Sequence, residues 1–90
     1  MLTPAERKAL KAKAHKLDPV VHVGAKGITE EVIAEIDRAL HAHELIKVRA
    51  ASLDRDAREE AFGRIAEKTG AQAVQHIGKV FVLFRKKKDE

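Results

Sequence analysis

Five apolar residues stand side by side near the end of this chain, Val80-Phe81-Val82-Leu83-Phe84, between Gly78-Lys79 and Arg85-Lys86. Successive side chains of a strand point to opposite faces. A strand of this composition is apolar on both, and so belongs in the middle of a sheet. The run is far shorter than the ~20 residues a membrane-spanning helix needs. Gln72 to Ile77 reads as the strand before it, and a Gly-X pair between two strand patterns predicts a two-residue hairpin of type II′. The remainder of the chain has to supply what surrounds that central strand.

Four further breaks divide it. Thr3-Pro4-Ala5-Glu6 is a helix start: the threonine can accept from an orphan amide, proline at the first helical position loses nothing, and the glutamate can reach back. This helix is predicted to run to about His15 or Lys16, ahead of Pro19. Arg7, Lys8, Lys11 and His15 share one arc of it, while the apolar side, Leu10, Ala14 and Leu17, is thin and interrupted by Lys13. It should be the least firmly packed element. Val20 to Val23 is a short β-branched run and a first strand. Thr29 is placed to cap a second helix with Glu30 and Glu31 in its first turn, and Val32, Ile33, Ile36, Ala39 and Leu40 form its apolar stripe up to about His43. Leu45 to Ala50 alternates, with Ile46, Val48 and Ala50 on one face and Lys47 and Arg49 on the other. A third helix follows from Asp54 or Asp56, where Asp56 and Glu59 have capping-box spacing. Its core stripe is Ala57, Ala61, Phe62, Ile65 and Ala66, and Gly70 suits its end.

The order α-β-α-β-α-β-β predicts an α+β domain. Two right-handed βαβ crossovers and a terminal hairpin build a four-stranded mixed sheet, with the second and third helices on one face. The N-terminal helix packs at an edge or on the other face. Residues 1–85 read as one domain and 86–90 as a solvated tail. No apolar block at the start resembles a signal peptide, so a cytoplasmic, soluble protein is expected.

Composition removes several classes of function. The 90 residues contain no cysteine, hence no disulfide, thiolate metal site or cysteine nucleophile. Five histidines are present, but His41 and His43 point to opposite sides of a helix, and His22 and His76 have no carboxylate at ligand spacing, so no metal is expected. Ser52 is the only serine and has no nucleophile-elbow context. No acid pair sits in an evident apolar pocket, so neither an enzyme nor a small-molecule substrate or cofactor is expected. Eighteen Lys and Arg against fourteen Asp and Glu give a net charge of +4. That bias, concentrated in the first sixteen residues, favours a polyanionic partner. Three Phe and no Trp or Tyr argue against a sheet that stacks several bases on aromatic rings.

The motif that absorbs this charge is Gly24-Ala25-Lys26-Gly27, between a strand and a helix. Glycines at this spacing let the backbone turn tightly, so that loop amides and the free N–H groups of the next helix can face an anion. A Gly-x-x-Gly loop clamps nucleotide backbone in KH domains; the same spacing also serves an ordinary tight turn. Glu30 and Glu31 partly cancel the positive helix end. Lys26 at the loop tip, Arg7, Lys8 and Lys11 on the first helix, Lys47 and Arg49 on the second strand, and Arg85 form the candidate RNA-binding set.

Three separated segments resemble one family: Pro19 to Thr29 around the glycine loop, His43 to Val48, and Thr69-Gly-Ala continuing to Val74-Gln-His-Ile-Gly-Lys79 and Leu83-Phe-Arg85. The chain is similar to the CRM domain (chloroplast RNA splicing and ribosome maturation) in its stand-alone bacterial YhbY-like form, from about Leu10 to Arg85. The resemblance implies a fold like the C-terminal domain of translation initiation factor 3, with the fourth strand central and antiparallel to the others. It further implies a monomeric RNA-binding protein associated with large-subunit rRNA precursors, acting in ribosome assembly without catalysis. It carries the loop role onto Gly24, Ala25, Lys26 and Gly27, and the basic helix onto Arg7, Lys8 and Lys11. The alternative is a protein-interaction module that docks on a ribosomal or assembly protein.

Overall fold

The computed structural model describes residues 2–86; of the expected tail at 86–90, all but Lys86 lies outside the described residues. Seven elements follow in the expected order: α1 (Pro4–Ala14), β1 (Val21–His22), α2 (Glu30–His43), β2 (Leu45–Arg49), α3 (Arg55–Thr69), β3 (Gln72–Ile77) and β4 (Val80–Phe84). The strands pair as β1-β2-β4-β3. β1 runs parallel to β2, whereas β4 is antiparallel to both of its neighbours, β2 and β3. The doubly apolar strand is therefore central, as its composition requires.

Each helix starts where a side chain satisfies an orphan amide. Thr3 accepts from the Glu6 amide while Glu6 accepts from the Thr3 amide, both at 3.1 Å, with Pro4 in the first turn. That backbone hydrogen bond from Thr3, followed by one its hydroxyl donates to the carboxylate, holds the Glu6 carboxyl below its ordinary range. Thr29 accepts from the Val32 amide. The third cap decides between the two starts the sequence offers: Asp54, not Asp56, accepts from the Ala57 amide at 2.8 Å. The preceding turn decides it, because the Leu53 amide donates to Ala50 O, leaving Asp54 as the first residue with extended backbone. α1 closes one to two residues sooner than expected, with His15 as its C-cap.

Two cores lie on the two faces of the sheet. The larger joins α2 and α3 to the sheet through Ile36, Leu40, Ile65, Ile46, Phe81 and Leu83, among others, all essentially sealed from water. Phe81 stacks on Phe62 of α3 with centroids 5.0 Å apart, and His76 meets Phe81 edge-on at 4.9 Å. The smaller core holds α1 against the opposite face through Leu10, Ala14, Val74 and Val82. The helix whose placement the sequence left open thus covers the second face, and it does so thinly. Leu17, beyond the helix end, stays 37% exposed.

At the hairpin, Ile77 pairs with Val80. Gly78 has φ +55° while Lys79 is not among the residues of positive φ, which selects the type II′ geometry. The register between β3 and β4 slips between Ala73 and Gln75, a β-bulge.

Candidate nucleic-acid interface

Strand pairing gathers three loops at one end of the sheet. β1 and β2 run in parallel and leave toward the 24–27 loop and the 50–53 turn. The Gly78-Lys79 hairpin meets them there, since Arg49 pairs with Val80 and the Ala50 amide donates to Lys79 O at 2.7 Å. The Val23 amide donates to Arg49 O at 2.7 Å, which ties the glycine loop to the same end.

Within that loop the Gly27 amide donates to Gly24 O at 3.0 Å, closing a four-residue turn, and Gly27 adopts φ +76°. This differs from the expectation that all four amides face outward: Gly27 uses its own to make the turn. The amides of Gly24, Ala25 and Lys26 donate to no group among the described residues, and all three residues are exposed. The two glycines thus have different reasons. Gly27 supplies a left-handed backbone. Gly24 has no positive φ, and a Cβ built on it meets nothing within 4 Å, so nothing inside the domain demands a glycine there.

On the α1 side of the sheet the register lines up His22, Arg49, Val80 and Ile77 across all four strands, a row of about 14 Å at the usual strand spacing. The next row inward is Lys47, Val82 and Gln75. Above it α1 contributes Lys11 and His15 to the wall of a cleft that Lys47 also lines. Lys8 is exposed one turn before Lys11 on the same flank. Neither the two rows nor this flank contains an acid.

Two of the sequence-predicted cations lie elsewhere. The Arg7 guanidinium donates to Ala73 O at 2.9 Å and Val74 O at 3.1 Å, the two carbonyls at the bulge. Arg85 donates to the Asp37 carboxylate at 2.6 Å, to Asp37 O at 3.1 Å and to Thr69 O at 2.8 Å. It clamps α2 to the end of α3, and its own amide donates to Glu44 O. Arg7 and Arg85 serve the fold. The sequence reading assigned no RNA contact to His15, His22 or Lys79, although His15 was in the basic arc of the first helix. His22 and Lys79 join the cationic end only through strand register, which composition does not encode.

The family profile of the CRS1 / YhbY (CRM) domain matches residues 2–85. The chain belongs to the CRM family. A Haemophilus influenzae relative named an RNA-binding protein is 45% identical over 93% of this chain and 85% of its own length. A Pseudomonas aeruginosa relative, named a probable RNA-binding protein, is 41% identical over 94% of this chain and 82% of its own. A Bacillus subtilis relative with the same style of name is 34% identical over 99% of this chain and 93% of its own. A solution structure of a hypothetical Staphylococcus aureus protein, described as a candidate RNA-binding protein, superposes with a TM-score of 0.86 at 36% identity. That match covers 99% of this chain and 93% of the other. The relatives of this CRM domain are named as binders, not enzymes.

A roomier concavity of about 510 Å³ lies on the other flank of α1, beside Leu17, Val20 and Phe84. Asp18 and Glu44 stand in its wall with Lys13 and His43. Its charge is mixed, whereas the two strand rows and the α1 flank on the glycine-loop side carry no acid.

Proposed function

We propose that this CRM domain binds structured RNA, ribosomal RNA in precursors of the large subunit, and acts in ribosome assembly as a monomeric binding protein. The contact surface is the Gly24–Gly27 loop and the acid-free basic face beside it. Phosphates lie against the amides of residues 24–26 and against Lys26, with Lys8, Lys11, Lys47 and Arg49 extending the footprint. The observation that carries this reading is the convergence of three loops and two cationic strand positions at one end of the sheet. The names of the relatives support RNA as the partner, and the resemblance to ribosome-maturation proteins supplies the ribosomal context. Contacts of this kind position RNA backbone and carry little base information.

The test is RNA affinity across a salt series for Lys11→Ala combined with Lys26→Ala. Each lost phosphate contact flattens the slope of log K against log salt by about 0.7–0.9. Affinity is expected to fall at least tenfold with thermal unfolding unchanged, because both residues are surface cations outside the cores. Unchanged affinity overturns the surface. Association with pre-ribosomal particles that survives thorough RNase treatment points instead to docking on a protein.

A further inference from the structure

α1 crosses the sheet without covering all of it. Between its C-terminal half and the β3–β4 hairpin it leaves a cleft of about 250 Å³. Val80, Val82 and Ile77 line it from the sheet and Ala14 from the helix, while Lys11 and Lys47 supply its cationic groups and His15 an imidazole ring. Gln75 is its one amide side chain, and no carboxylate takes part. Ile77 is 53% exposed, the highest value among the large apolar residues left open to water.

We propose that this cleft takes a single unpaired nucleotide of the bound RNA, its base laid on Ile77 and Val80 and its flanking phosphates held by Lys11 and Lys47. The inference rests on the RNA reading above and adds to it a preference for RNA with an unpaired base. Three features favour this occupant. The volume lies just below the ~300–1,000 Å³ of pockets for drug-sized ligands, the scale of one base and not of a helix. The base edges of an A-form duplex are inaccessible in its deep groove, whereas bulges and loops can splay a base onto a protein surface. An aliphatic floor beside two lysines, with no acid in the lining, matches a nucleotide, apolar on its faces and anionic at its phosphates. Gln75, with two donors and an acceptor, can meet the polar edge of a base, and the His15 ring is of a type that stacks on one.

The experiment compares two RNA duplexes that differ only by a one-nucleotide bulge, the bulged base being 2-aminopurine for fluorescence. The wild-type protein is expected to bind the bulged RNA about tenfold more tightly and to change its emission. Ile77→Ser with Gln75→Ala lowers affinity for the bulged RNA to that of the paired duplex, leaving duplex affinity, salt slope and thermal unfolding unchanged. Lys11→Ala with Lys26→Ala weakens both RNAs. Equal wild-type affinity for the two RNAs overturns the nucleotide cleft while leaving the basic surface standing. A parallel loss of both RNAs in the Ile77/Gln75 variant also overturns it. Failure of the wild-type protein to bind either RNA overturns the RNA reading itself.

Discussion

The two faces of this sheet are built to different standards. Against one, α2 and α3 bury eleven residues in a continuous core, with Phe81 stacked on Phe62. Against the other, a single helix seals only four and leaves part of the face open to water, and that open part is where Lys11 and Lys47 stand. The difference assigns labour within a domain of this size: one face holds the chain together, so the other is free to present charge and apolar surface side by side. A second thick core would have covered Lys47, Arg49 and Ile77. The thin packing of α1 is a condition of the site.

The sharpest way to break this comparison is to remove equivalent apolar groups from each side. Phe81→Ala is expected to destabilise the domain by about 3–5 kcal/mol, and Leu10→Ala by only about 2, in denaturant unfolding. Equal losses would mean that α1 is as strongly built in as α2 and α3. The same contrast applies to the cations. Arg85→Ala removes three hydrogen bonds donated by a half-buried guanidinium and is expected to destabilise by about 1.5–2 kcal/mol, with RNA affinity unchanged. Arg49→Ala should do the reverse, with stability within about 0.5 kcal/mol of wild type and weaker RNA binding. If Arg85→Ala weakens RNA binding while leaving the melting temperature alone, its place in the scaffold is wrong.

The loop adds a finer test. Gly27→Ala forces an alanine to φ +76° and is expected to destabilise by about 1 kcal/mol. Gly24→Ala leaves stability alone, since its Cβ meets nothing, and weakens RNA binding by standing between the exposed amides and a phosphate. The smallest effect is at the start of α1. The Glu6 carboxyl titrates below its ordinary range in the folded protein. Its contribution is therefore complete above the unfolded value of about 4.3 and disappears as pH falls through the folded one. Protection of the first-turn amides of α1, relative to their intrinsic exchange rate, should fall in the wild type as pH drops below the unfolded value. In Glu6→Gln that acid-dependent change should be missing.

Much of the fold could be read from the chain because hydrophobic period and caps act locally. Val80–Phe84 required a central strand, and the stripe from Val32 to Leu40 required a helix. What escaped depends on register and on distant partners. The choice of Asp54 over Asp56 rests on a turn tied back to Ala50. The loop at Gly24–Gly27 was legible as a turn, but not that one of its four amides would be used internally. Arg7 and Arg49 look alike as surface cations in sequence. A bulge between Ala73 and Gln75 captures the first, while pairing with His22 and Val80 leaves the second in the open. Nothing local to either residue distinguishes them.

The hydrogen bonds from Ala50 to Lys79 and from Val23 to Arg49 make the end of the sheet a ruler. They fasten the glycine loop, the second strand and the hairpin to one another by short backbone links, so the intervals between Lys26, Arg49 and Lys79 are set before any ligand arrives. A flexible polyanion such as polyglutamate must give up its own freedom to fit those intervals, whereas a folded nucleic acid brings its charges already spaced. On the RNA reading proposed above, rigidity at this rim turns an attraction common to all polyanions into discrimination by shape.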